Sequence, residues 1–308
     1  MTAFPEFVSA GEALTDMIRT TADFWQSRIG GAGFNVARAM ARLGVPSAFA
    51  GAVSNDVLGR ALLDGAGKAG LDLRFMQCVD KSPLLAMVHK TSPPEYFFVG
   101  DDSADLHFSL SRLPSGWAQQ VRCVHFGGIS LARQPLADRL VRLATALKAE
   151  GVHISYDPNF RNLMDARYDD TLAAMAGLAD VIKVSDEDLE GLFRTPVTQD
   201  AFVKLRRMNP AARILLTRGA AGAEYHDGDR AWRAAAPRVA LMDTIGAGDA
   251  SISALLHGLM GQPDSDGAEL LRMAVAAGAA ACTLPGATPP TLDLVQAIAP
   301  TVQVSSLV

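Results

Sequence analysis

Asp243-Thr244-Ile245-Gly246-Ala247-Gly248-Asp249 sets an aspartate at each end of a glycine-rich turn, and the small and apolar residues from Ser251 to Met260 read as a buried helix. Glycines let a backbone turn tightly and approach a ligand, and the first amides of a helix have no intrahelical acceptor. Such a stretch is a candidate anion site. Asp249 would fall in the first helical turn, where the macrodipole favours a carboxylate by about 0.3–1 kcal/mol and keeps it ionised near neutral pH. An ionised base beside amides that cradle charge on a γ-phosphoryl group is what in-line phosphoryl transfer requires. The same spacing also suits an aspartate that only caps a helix.

A second glycine-rich helix entry runs from Gly30 through Gly31, Ala32, Gly33, Phe34 and Asn35 to Gly44. It is not a dinucleotide fingerprint, because Val36 stands where G-x-G-x-x-G needs glycine and the preceding Asp23 to Arg28 does not read as a buried strand. Asn35 brings two donors and an acceptor to the helix mouth, which suits a polyhydroxylated ligand, although a capping role is equally ordinary for Asn. Asp64-Gly65-Ala66-Gly67-Lys68-Ala69 imitates a P-loop but lacks the Ser or Thr after its Lys.

These motifs need a scaffold. From Val121 onward short apolar runs alternate with amphipathic ones: Val121 to Phe126 then Leu136 to Leu147, Val152 to Tyr156 then Thr171 to Leu178, Val181 to Val184 then a helix from Asp186, and Ile214 to Thr217. That order predicts an α/β fold with a mostly parallel sheet covered on both faces. Leu84 to Lys90 and Tyr96 to Val99, separated by Thr91-Ser92-Pro93-Pro94, predict a hairpin. With a strand near Leu14 to Ile18 it would form a lid from about residues 12–24 and 84–108, or else a plain edge hairpin. No domain boundary is evident across residues 1–308.

With a formal charge of −5 the chain carries no basic footprint for nucleic acid or an anionic membrane surface. No uncharged apolar stretch reaches the ~20 residues of a membrane span, and Met1 to Ala10 does not read as a signal peptide; the expected location is the cytoplasm. Cys78, Cys123 and Cys282 have neither disulfide nor zinc spacing and read as small buried apolar residues.

Taken together, the two glycine motifs resemble the two signatures of the ribokinase-like, or PfkB, carbohydrate kinases, over about Phe7 to Ala297. The second signature matches in full from Asp243 to Leu255; the first departs at Ser54, where Gly is usual. The resemblance implies a three-layer α/β/α domain with a β lid, ATP with Mg2+, Asp249 as general base, and an anion hole from the amides of Gly246, Ala247 and Gly248. It implies sugar contacts from Gly30, Gly31 and Asn35. Lys183, Ser185, Thr217, Gly219 and Gly222 would lie near the nucleotide, and Ala277 and Gly278 would wall the adenine. Ser185 and Asp188 replace the usual Asn and Glu of the stretch near Mg2+. A monovalent cation such as K+ would involve Asp243 and the Ile245 carbonyl, and a homodimer would form through the lid.

Within the family, Gly11 to Asp16, the Ser103-Ala104-Asp105 triplet and Tyr156-Asp157-Pro158-Asn159-Phe160-Arg161 are most similar to bacterial fructokinases. Asp16 would accept hydroxyl hydrogen bonds from a neutral hexose and repel an acid, with Phe98, Asn159 and Arg161 completing the sugar site. The rival is 2-keto-3-deoxygluconate kinase, which must hold a carboxylate. The lid stretch Tyr96 to Asp102 has two acids and no Arg, so Arg161 is the cation that could serve one. A ribokinase or nucleoside kinase, or a sugar-binding homologue without turnover, would share the fold.

Overall fold

The computed structural model describes residues 3–91, 94–262 and 265–307. In chain order the elements are β1 (Phe7–Ala10), β2 (Leu14–Arg19), β3 (Trp25–Gly30), α1 (Ala32–Arg42), β4 (Ser47–Ser54), α2 (Val57–Ala69), β5 (Met76–Val79), β6 (Leu85–Thr91), β7 (Pro94–Val99), β8 (Cys123–Gly127) and α3 (Leu136–Ala149). There follow β9 (His153–Asp157), α4 (Asp169–Leu178), β10 (Val181–Ser185), α5 (Asp186–Phe193), α6 (Thr198–Met208), β11 (Arg213–Thr217), β12 (Ala223–Asp227), β13 (Arg230–Ala234), α7 (Ala247–Gly261), α8 (Gly267–Cys282), α9 (Leu292–Ile298) and β14 (Val304–Leu307).

Ten strands form one sheet in the order β14-β13-β12-β11-β10-β9-β8-β1-β4-β5. The run from β11 to β5 is parallel, and β12, β13 and β14 continue it antiparallel. Parallel strands buried on both faces read as unbroken apolar runs, which is why β8 to β11 were legible. On one face Val36 and Met40 of α1 pack with Leu255 of α7 and Leu271 of α8; on the other Leu140, Leu172, Leu189 and Leu205 from α3 to α6 cover the sheet. The structure therefore has the three layers expected.

The second sheet, β3-β2-β6-β7, is the lid. Its limits differ from those expected. The first segment continues through β3 to Gly30, a strand missed because Trp25, Gln26 and Ser27 are exposed and show no core-facing alternation. The second segment stops at Val99, because Ala104, Asp105, Leu106 and Phe108 are buried against the main body. Ser92 and Pro93 of the expected turn lie outside the described residues. Cys123 is buried as expected, but Cys78 is exposed and Cys282 half-buried.

Ser54 takes a backbone conformation that does not require glycine. Its backbone is not in the left-handed region, and its hydroxyl donates to Asp56 Oδ1 at 2.8 Å while Asp56 caps α2 through the Leu58 and Gly59 amides.

Candidate active site

The site forms where the carboxyl ends of the parallel strands meet the starts of α1 and α7, under the lid. Ligands in open α/β sheets bind at this edge. Both helices begin on a glycine of positive φ, Gly31 (φ 108°, ψ 124°) and Gly246 (φ 82°, ψ 1°), and neither has a side-chain cap. Only glycine adopts such φ values at little cost.

Neither Asn35 nor Asp249 is a cap. Asn35 sits one turn into α1 and donates from Nδ2 to Asp249 Oδ2 at 2.9 Å, a buried bond across 214 positions of sequence. Asn35 Oδ1 is buried without a partner, an acceptor left for an incoming hydroxyl. The helix start is not the only influence on Asp249. Burial pushes its pKa up, opposed by the Asn35 hydrogen bond and by Lys183, Arg161 and Arg38. A raised pKa makes a stronger base, which serves proton abstraction.

At the anion turn the amides of Gly246, Gly248 and Asp249 have no acceptor among the described residues, whereas the Ala247 amide donates to the Thr244 carbonyl at 3.3 Å. The free donors are therefore Gly246 and Gly248 with Asp249, and Ala247 supplies the turn. Asp243 organises the loop from outside: its Oδ1 accepts from the Ile245 amide at 3.1 Å and its Oδ2 from the Gly286 amide at 2.9 Å.

The lid supplies the facing wall. Strand registers put Arg28, Asp16, Ala86 and Phe98 in one row across β3, β2, β6 and β7, so they share a face. Asp16 lies against Gly30, where a Cβ would come within 2.2 Å of its Oδ2. Burial raises the Asp16 pKa to about 6, with Arg161 and Arg28 pulling it down and Asp249 pushing it up. Arg161 Nη1 donates to Asn159 Oδ1 at 2.7 Å and to the Asn159 and Phe160 carbonyls, and its guanidinium lies 5.9 Å from the Tyr96 ring centre on the lid. Asn159 holds this corner with φ 47°, a conformation Asn tolerates better than most residues. The sugar-site residues expected from sequence are thus brought together, and Arg28 and Tyr96 join them unforeseen.

The nucleotide side is mixed. Thr217, Gly219 (φ 50°) and Gly222 (φ 95°) form the turn after β11, and a Cβ at Gly222 would meet the Ala234 carbonyl at 1.9 Å. Lys183 does not reach outward: it is buried, 3.1 Å from Asp157 Oδ2 and 3.6 Å from Asp188 Oδ2, and its Nζ lies 3.1 Å from where a Cβ on Gly248 would be. Burial opposes its charge, but Asp157, Asp188 and Asp249 outweigh it and raise its pKa. Lys183 is thus a buried cation under the anion turn. Ser185 and Asp188 close a capping box at the start of α5, and Asp188 Oδ1 also accepts from the Phe160 amide. Ala277 is fully buried in the helix core, and Gly278 gives α8 room against Ser251 and Ala247, so both support the α7 start rather than present a wall to adenine.

The Ser103-Ala104-Asp105 triplet is a lid anchor. Arg133 pairs with Asp105 at 3.1 Å and donates to Ser103 Oγ and to the Gly100 carbonyl at the end of β7.

A buried carboxylate, amides without an acceptor among the described residues at a glycine-capped helix, and a small sheet carrying Asp16 suit phosphoryl transfer to a hydroxyl. The pfkB family carbohydrate kinase profile matches residues 6–293, and the chain belongs to that family. It is 31% identical over 303 residues to "Fructokinase-1" of Oryza sativa subsp. japonica, covering 92% of this chain and 93% of the rice protein. The fructokinase structure from Xylella fastidiosa with bound ATP superposes with a TM-score of 0.86 at 26% identity, covering 96% of this chain and 98% of the other. The fructokinase from Vibrio cholerae O395 in a form with fructose, ADP and calcium ion gives 0.83 at 28% identity, covering 95% and 98%. The fold is ribokinase-like. Among the described residues no helix is long and apolar enough to cross a membrane.

Proposed function

We propose that the protein is an ATP-dependent fructokinase that converts D-fructose and ATP to D-fructose 6-phosphate and ADP. The observation that carries the reading is the buried Asn35–Asp249 hydrogen bond, which joins the sugar-side helix to the phosphate-side helix at one carboxylate. The likeness to solved fructokinase structures, one with fructose and ADP, supports the substrate.

Asp16 on the lid and Asn35 Oδ1 accept hydroxyl hydrogen bonds and orient the sugar. Asp249 takes the proton of the primary hydroxyl as that oxygen attacks the γ-phosphorus of ATP; the bond to the bridging oxygen breaks and ADP leaves. The amides of Gly246, Gly248 and Asp249 stabilise charge growing on the transferring group, and Lys183 beneath them adds a fixed positive charge. The lid excludes water that would otherwise take the phosphoryl group. Mg2+ would arrive on ATP. Such an ion keeps several of its waters and is held largely by the substrate phosphates.

Assembly as a homodimer through the lid belongs to the same reading. The lid face opposite Asp16 carries Met17, Met87, Phe97 and Val99, of which Phe97 and Val99 are 54% and 47% exposed. One observation favours a second reading, a 2-keto-3-deoxygluconate kinase: the positive charge of Arg161 acts on both Asp16 and Asp249 and could hold an acid substrate.

The test is ADP release with D-fructose, 2-keto-3-deoxygluconate and D-ribose in parallel. Turnover with fructose at least tenfold above the others is expected. A preference for the keto acid would mean that Arg161 outweighs Asp16 and would overturn the hexose assignment.

A further inference from the structure

Arg28 lies on the lid strand β3, opposite Asp16 in the register, and turns towards the other side of the site. Its Nη1 is 3.6 Å from Asp243 Oδ2, and its Nη2 donates to Gln26 Oε1 at 3.3 Å. Asp243 is the carboxylate that already holds the Ile245 and Gly286 amides, so one side chain ties together the anion turn, the loop after α8 and the lid. The contact is shaped for the arginine. Gly286 adopts φ 58°, and a Cβ there would stand 2.6 Å from Arg28 Nη1. Two carboxylates face this guanidinium: Asp16 on the sugar side and Asp243 on the phosphate side.

The same geometry tests the monovalent cation expected at Asp243 and the Ile245 carbonyl. Oδ2 of Asp243 accepts the Gly286 amide and faces the Arg28 guanidinium at 3.6 Å, so a bound K+ would sit beside a positive charge that repels it. The residues present do not fit a cation there.

We infer that Arg28 is a positioning residue that latches the lid onto the anion turn through Asp243 and supplies there the positive charge that a loose monovalent cation would otherwise bring. The inference rests on the reading of Asp16 and the Asp243 to Asp249 turn as the two halves of a sugar kinase site. It places the latch on the residue next to the sugar-binding carboxylate, so that ordering of the sugar side and of the phosphate side occurs in one event.

Two measurements on the full-length protein decide it. The first is hydrogen–deuterium exchange of the ligand-free protein, wild type against Arg28→Met and Arg28→Lys. Faster exchange is expected in the Met variant in both the β2–β3 hairpin and the Gly286 segment, with the Lys variant between; exchange confined to β3 or unchanged overturns the latch. The second is steady-state kinetics with K+ or with tetramethylammonium as the only monovalent cation. Wild type should run within about twofold in either, while Arg28→Met should show a sugar KM raised about fivefold, as suits one part-exposed ion pair, and partial recovery in K+. Wild-type turnover that collapses without K+ overturns the charge assignment. If the wild type phosphorylates none of the sugars tried, the fructokinase reading fails while the exchange result still judges the latch.

Discussion

The starts of α1 and α7 are both capped by a glycine of positive φ and present different groups. Each opens on a left-handed glycine with no side chain over the first amides, and each is buried against the parallel sheet. The α1 start presents a neutral amide, Asn35, and lies beneath the lid strands that carry Asp16. The α7 start presents Asp249 and lies above the buried Lys183. A helix mouth is therefore a generic polar site, and its task is set by the one side chain in its first turn and by what faces it. In the proposed function, sugar recognition and phosphate handling fall to two glycine-capped helix starts, joined by the 2.9 Å hydrogen bond from Asn35 to Asp249.

The division is broken most severely by Asp249→Asn, which keeps the shape of the α7 mouth but removes its base. Turnover should fall by roughly 10²–10⁴-fold with sugar KM changed little; near-full kcat would mean that Asp249 only positions Asn35.

Crowding the two caps sharpens the contrast. Gly246→Ala forces a side chain at φ 82° within 3.2 Å of Ala287 Cα and should lower kcat by about 10²-fold by tilting the anion amides. Gly31→Ala at φ 108°, 2.7 Å from the Glu12 carbonyl, should instead raise sugar KM and destabilise the fold by about 1–3 kcal/mol. Steady-state kinetics and a urea melt on each variant separate the two; the same kinetic defect in both would refute the division.

The smallest effect expected is a pH dependence of sugar binding. Burial lifts Asp16 to about 6, so its acceptor form fills in as pH rises through that value, and sugar KM should fall several-fold between about pH 5 and pH 7. The stability sign is opposite: a raised carboxyl pKa favours the folded state below the ordinary carboxyl range, and that contribution is lost as pH rises through about 6. Asp16→Asn should abolish both trends, and a KM flat with pH would remove Asp16 from the sugar site.

Much of this was legible because it is local. The glycine patterns at Gly30 to Gly33 and Gly246 to Gly248, the apolar runs of β8 to β11 and the β6–β7 hairpin follow from backbone freedom and burial periodicity, which act over a few residues. The β3 strand was not, because it is exposed and has no apolar alternation to reveal it. Lys183 and Asp188 read as residues near the nucleotide, yet burial turned them inward to pair with each other and with Asp157, since a charge in the interior must find its counter-charge.

What the sequence by itself determined is the class of scaffold and the chemistry available at each helix start, because composition, glycine placement and period are properties of short segments. What only the tertiary structure decided is which groups meet: that Asn35 reaches Asp249 instead of capping its own helix, that burial pushes the Asp249 pKa up, and that Arg28 spans from the lid to Asp243. Those outcomes depend on distances between residues more than two hundred positions apart in the chain, and on desolvation, which no residue possesses until the rest of the protein surrounds it.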